Sequence, residues 1–228
     1  MATSLERAFG GVIFDLDGTL TANMSLHADA FSIFAERHDL ILTLDLRGRL
    51  DGKRNRDIFP ILFGRELSEV DLTRYSNEKE GLYRDLSRGR LAPLPGLQAL
   101  LDRLAERRIP MAIATSAPAE NVPHTLGELG YAARFPVVVR SEEVPHGKPH
   151  PHVFLEAARR IGVPPGDCLA FEDAPMGVIA ARAAGMTCFG VTTSFTAAGF
   201  AEHDAHPHAT VADYQEYLAR FGGWLGRH

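Results

Sequence analysis

Two carboxylates stand one residue apart in "GVIFDLDGTL", where Asp15 and Asp17 close an apolar run and Gly18-Thr19 turn the chain. Like charges so close repel unless something positive lies among them, so the pair demands partners from elsewhere. Thr115-Ser116 end "PMAIATS", Glu172-Asp173 end "CLAFED", and Lys148 stands in "HGKPHPHVF". Asp15, Asp17 and Asp173, with Glu172 beside the last, are hard oxygen donors suited to Mg²⁺. The Thr115 hydroxyl, the Ser116 backbone N–H and the Lys148 ammonium are groups that hold phosphoryl oxygens. A carboxylate placed like Asp15 can attack phosphorus, and one placed like Asp17 can move the proton. Plainer readings stand beside these: Asp173 before "APMGV" can cap a helix, and Thr-Ser or Lys-Pro can serve a turn.

The elements that must position these groups follow from the hydrophobic pattern. Five short apolar runs read as strands, at 11–15, 110–115, 136–140, 168–173 and 187–191, with a weaker sixth at 209–211. Helical patterns at 96–108, 119–130, 151–162 and 175–185 alternate with them, which predicts a doubly wound α/β fold on a parallel sheet. In such a sheet ligands bind beyond the carboxyl ends of the strands, where Asp15, Thr115 and Glu172-Asp173 all fall.

Roughly ninety residues separate the first strand from the second, far more than a crossover uses. The inserted chain reads as helix at 25–40, 55–64 and 69–89, with Pro60 shortening or kinking the middle one and "LAPLPG" returning the chain. The expected organisation is an α/β core from residues 1–22 plus 90–228 and a helical unit over 23–89.

Four ordered segments carry a family resemblance: "DLDGTL" (15–20), "IATS" (113–116), "GKPHPHVF" (147–154) and "FEDAPMGVIAARAAGM" (171–186). They resemble the motifs of the haloacid dehalogenase superfamily, and within it the branch of β-phosphoglucomutase and sugar-phosphate phosphatases, whose helical cap the insert matches. The likeness implies a Rossmann-like core and assigns Asp15 as nucleophile and Asp17 as acid/base whose backbone carbonyl also binds metal. It makes Thr115 and Lys148 phosphate binders, and Asp173 the remaining Mg²⁺ ligand with Glu172 beside it. Dehalogenating members usually lack the second aspartate, so Asp17 argues against that reaction.

The same likeness implies that the cap closes over the site and carries specificity. "LDGKRNRDIF" (50–59) resembles its substrate loop, placing Gly52 and Asn55 at the ligand; Lys53, Arg54 and Arg56 make it basic, or merely begin a solvated helix. Lys79 in "NEKEGLY" resembles a cap lysine that reaches the site, or faces solvent between Glu78 and Glu80. His27 matches the branch, whereas Ala22-Asn23 stand where it usually has Asp or a hydroxyl. Ala117, Pro118 and Ala119 replace the Ser, Lys and Asn that the mutase presents to its sugar, which favours hydrolysis over phosphoryl return.

Composition narrows the alternatives. A formal charge of −5 advertises neither nucleic acid nor an anionic membrane as partner. No apolar span is long enough for a bilayer, and the first residues lack a signal peptide's apolar stretch. Cys168 and Cys188 sit in apolar runs and read as buried thiols. Histidine-dense "HGKPHPH" and "HDAHPH" have ligand-like spacing, but Pro and Gly interruptions mark them as exposed loops. Trp224 reads as packing. The expectation is a cytoplasmic Mg²⁺-dependent phosphatase of a small phosphate ester, a monomer or weak homodimer. Its rivals are a phosphosugar mutase and a catalytically silent binding protein.

Overall fold

The structure is a computed structural model that describes residues 9–43 and 53–222. Its centre is a six-stranded parallel sheet of order β3-β2-β1-β4-β5-β6. The strands are β1 (Gly11–Phe14), β2 (Met111–Thr115), β3 (Val137–Arg140), β4 (Cys168–Glu172), β5 (Thr187–Val191) and β6 (Ala209–Val211). β1 and β4 end one residue before their apolar runs do, leaving out Asp15 and Asp173, β2 and β3 begin one residue later, after Pro110 and Pro136, and β5 and β6 match theirs. Alternation sorts their side chains to two faces. Val12, Phe14, Leu169 and Phe171 pack on one face. Ile13, Ala112, Ala170 and Cys188 pack on the other.

Helices cover both faces, which is why the strands are apolar throughout. Helix α4 (Leu97–Glu106) and α9 (Tyr214–Phe221) place Leu97, Leu101, Tyr214 and Tyr217 on the first face. Helices α6 (His152–Ile161) and α7 (Pro175–Ala183) place Val153, Phe154, Ala157, Val178 and Ala181 on the second. In α6 those apolar positions recur on one side, and Gly162 ends the helix in the left-handed region at φ 72°. Helix α5 (Asn121–Glu128) follows β2. A short α8 (Ala197–Glu202), absent from the sequence-based expectation, is capped by the Thr196 hydroxyl accepting from Gly199 N–H. Both cysteines are buried and unbridged, and burial, then the Asp167 charge, pushes the Cys168 thiol up to about 12.

Between β1 and β2 lie α1 (Met24–Arg37), α2 (Asn55–Phe63) and α3 (Glu69–Ser87). Phe34, Ile58, Phe59, Leu62 and Tyr75 give these helices a core of their own. Pro60 sits inside α2, which ends three residues later at Phe63 and is followed by left-handed Gly64. Ser68 caps α3 by accepting from Asp71 N–H. The chain entering and the chain leaving these helices meet at the core: Leu94 N–H donates to Leu20 C=O at 2.9 Å. Among the described residues no helix is long and apolar enough to cross a membrane.

Candidate active site

The sheet brings four of the predicted groups to one edge. Because β1 pairs with both β2 and β4, residues following those strands emerge side by side. Lys148, from the loop before α6, donates to Asp15 Oδ1 and to Glu172 Oε1, each at 2.5 Å. Asp15, Glu172 and Asp173 offer oxygens that all lie within 4.8 Å of one another, and all three residues are buried. Ser194 donates its hydroxyl to Asp173 Oδ2, and Thr19 donates to Oδ1 at 3.3 Å. Ala174 N–H donates to Glu172 Oε2 at 2.7 Å.

Two glycines make this crowding possible. A Cβ on Gly18, which has φ +77°, would lie 1.9 Å from Asp173 Oδ2. One on Gly177, in the first turn of α7, would lie 1.6 Å from Glu172 Oε1. The turn after Asp17 is also held from the far side: Tyr214 donates to Thr19 C=O at 3.1 Å, and Thr193 to Gly18 C=O.

Electrostatically the cluster is short of positive charge. Burial first, then the Glu172 and Asp173 carboxylates, pushes Asp15 well above the usual carboxylate range against the pull of Lys148. Burial and the Glu172 charge push Asp173 up to about 8. Lys148 is raised despite its own burial, because Asp15 and Glu172 hold the proton on it. One ammonium among three buried carboxylates leaves room for further positive charge, and an all-oxygen donor set fits a hard divalent ion.

Asp17 takes another direction. Its carboxylate lies outside that group and accepts from the Asn23 amide at 2.6 Å, with His27 Nε2 3.6 Å away. Burial alone would raise it, but the His27 and Asn23 contacts prevail and lower it. Asn23 was a mismatch by family pattern, yet it does more than a hydroxyl would. Its oxygen accepts from Gly18 N–H at 2.9 Å while its amide also donates to Tyr83 Oη. An amide carries both donor and acceptor, which was the available signal.

The cap wall is a continuous polar network. His27 stacks on Tyr83 with ring centroids 3.7 Å apart. Lys79 Nζ meets His27 Nδ1 and Glu80 Oε1 at 2.9 Å each. An ammonium can only donate, so Nδ1 accepts, and in a neutral ring Nε2 carries the hydrogen that faces Asp17. Asn55 donates to Glu80 Oε1 at 2.8 Å, and Asn121 of the core donates to Glu80 Oε2 at 2.6 Å. Thus Lys79 is buried, neither solvent-facing nor free, and Glu80 is a site residue that the charged run "NEKE" concealed.

A cavity of about 400 Å³ joins the two walls, lined among others by Asp15, Lys148, Lys79, Asn55, Lys53 and Phe31. Thr115, Ser116 and Ala117 line it too. The Thr115 oxygen accepts from Ala117 N–H at 3.0 Å, leaving its own hydrogen to donate. Arg54 pairs with Asp57 and Arg56 with Glu69. Gly52 and Trp224 lie outside the described residues.

Known proteins share this architecture. The chain is 33% identical over 179 residues, 77% of its length and 81% of the relative's, to the phosphorylated carbohydrates phosphatase of Thermotoga maritima. It is 36% identical over 193 residues, 79% of its length and 82% of the relative's, to the β-phosphoglucomutase of Bacillus subtilis. Among solved structures, the family IA, variant 3 HAD hydrolase of Entamoeba histolytica superposes with a TM-score of 0.83 at 27% identity, covering 94% of this chain and 97% of that one. Residues 9–185 match the haloacid dehalogenase-like hydrolase family, and with the strand-end carboxylates and Lys148 in place, the chain belongs to that family.

Proposed function

We propose that the protein is a Mg²⁺-dependent phosphatase of a small phosphorylated carbohydrate, a sugar or polyol phosphate, working through an aspartyl-phosphate on Asp15. The observation that carries this reading is the cluster of Asp15, Lys148, Glu172 and Asp173 on the floor of a cavity whose other wall is the cap. Phosphatases of phosphorylated carbohydrates and of fructose 1-phosphate among the relatives support the substrate class.

Asp15, Asp173 and the backbone carbonyl of Asp17 are the groups to hold Mg²⁺, with Glu172 orienting the set. When bound, the ion neutralises phosphoryl charge and offsets the repulsion among the carboxylates. Lys148 and Thr115 hold the phosphoryl oxygens and aim phosphorus at Asp15. Attack by the Asp15 oxygen forms the O–P bond as the ester P–O bond breaks, and the departing oxygen takes a proton from Asp17. In the arrangement described the Asn23 and His27 contacts favour Asp17 as a carboxylate, so it enters that step carrying a proton taken from solvent and leaves it as a carboxylate. As carboxylate, Asp17 then takes a proton from the water that hydrolyses the phosphoenzyme. The cap keeps other water out.

A second reading, a phosphosugar mutase, draws on the β-phosphoglucomutase relative and on the paired His27 and Lys79. Against it, Ala117 and Pro118 line the cavity with no side-chain hydrogen bond to offer a sugar. The test is a panel of sugar and polyol phosphates with Mg²⁺ or EDTA. Phosphate release that EDTA abolishes supports the proposal. Isomerised sugar phosphate without free phosphate supports the mutase.

A further inference from the structure

Two histidines of the loop between β3 and α6, with the first residue of α6, have a geometry that the reaction does not use. His146, His150 and His152 bracket Lys148 and gather into one cluster. Their ring centroids lie 4.9 Å apart for His146 and His150, 5.4 Å for His146 and His152, and 6.1 Å for His150 and His152. No side-chain hydrogen bond engages any of the three among the described residues, and His152 Nδ1 is buried without a partner. The second histidine-dense segment is different. His203 meets Gly199 C=O, His206 pairs with Asp204, and His208 accepts from Cys188 N–H.

We propose that His146, His150 and His152 form a surface site for a borderline divalent transition ion such as Zn²⁺, separate from the acidic site that takes Mg²⁺. Imidazole suits zinc, copper and nickel, whereas the carboxylate cluster suits a hard ion. Three imidazoles on one tetrahedral ion, with Zn–N of about 2.0–2.1 Å, place their ring centres roughly 5 Å apart. The observed separations bracket or exceed that value; as placed, the three rings do not yet bring one nitrogen each together, so binding requires rotation about the side-chain bonds of His146 and His150. His146 and His150 are exposed and free to turn, and water completes the coordination. An ion there also ends the isolation of the His152 ring, because a buried unpaired polar atom is a standing cost.

The neighbouring charges permit it. The Lys148 ammonium is committed to Asp15 and Glu172. Arg54, whose side chain approaches Gly147, is committed to Asp57. Binding ties both ends of the loop that delivers Lys148, so the ion would stiffen the phosphate-binding side of the cavity.

Equilibrium dialysis of the full chain against Zn²⁺, with Mg²⁺ saturating, tests this. The expected result is one Zn²⁺ per chain, weakened at least about tenfold in His146→Ala/His150→Ala and unchanged in His203→Ala/His206→Ala and in Asp173→Asn. With Co²⁺ as probe, a visible band of tetrahedral intensity should appear in the wild type and vanish in His146→Ala/His150→Ala. That variant should keep its Mg²⁺-supported phosphate release. Zn²⁺ binding that survives in His146→Ala/His150→Ala, or is lost in Asp173→Asn, overturns the proposal.

Discussion

At the core edge three buried carboxylates share one ammonium, Lys148, whereas on the cap wall one carboxylate, Glu80, is surrounded by Lys79, His27, Asn55 and Asn121. The consequences are opposite. Asp173 is pushed up to about 8 by burial and by Glu172. Burial would raise Glu80 as well, but the Lys79 ammonium and the hydrogen bonds from Asn55 and Lys79 overcome it and hold Glu80 at about 2. A balanced network is a structural latch, because nothing more is needed to satisfy it. An unbalanced one is waiting for charge from outside, which is what a binding site must be.

Removing the one cation should break the comparison hardest. Lys148→Ala leaves three carboxylates buried with no ammonium, so it should lower phosphate release about 10³-fold. It should also cost roughly 3–5 kcal/mol, read from urea unfolding midpoints with Mg²⁺ absent. Next comes Gly177→Ala, which drives a methyl into Glu172. Overpacking of that kind costs about 1–3 kcal/mol, and the displaced carboxylate should reduce kcat by up to about a hundredfold with KM little changed.

The smallest effect on phosphate release at neutral pH should come from the cap. Glu80→Gln should cost roughly 1–3 kcal/mol through weakened bonds to Lys79 and Asn121. Its sign with pH is the sharper test. The Glu80 carboxyl is held at about 2, below its ordinary 4.5, so its stabilisation is complete above 4.5 and is lost as pH falls toward 2. The stability gap between wild type and Glu80→Gln should therefore shrink across that window. A gap independent of pH would remove Glu80 from the latch.

The two sides also differ in how legible they were. Strand-end chemistry is local: an apolar run followed by Asp-x-Asp or Glu-Asp declares both the strand and the group it delivers, and the parallel sheet does the rest. The cap network has no such signature. "NEKEGLY" has the composition of a solvated face, and only its tertiary partners, His27 from α1 and Asn121 from the core, bury Lys79 and Glu80. Asn23 failed a family pattern yet supplies the bonds that pattern implies. Helix α8 escaped because six residues around Gly199 bury only Phe200, too little to make a period.

The most direct measurement of the central claim is phosphate release by Asp15→Asn, assayed with Mg²⁺ on a sugar phosphate that the wild type hydrolyses. Loss of the nucleophile should reduce the rate on the order of 10⁴-fold or more while unfolding stays cooperative. Release at the wild-type rate from a folded Asp15→Asn protein would contradict the account.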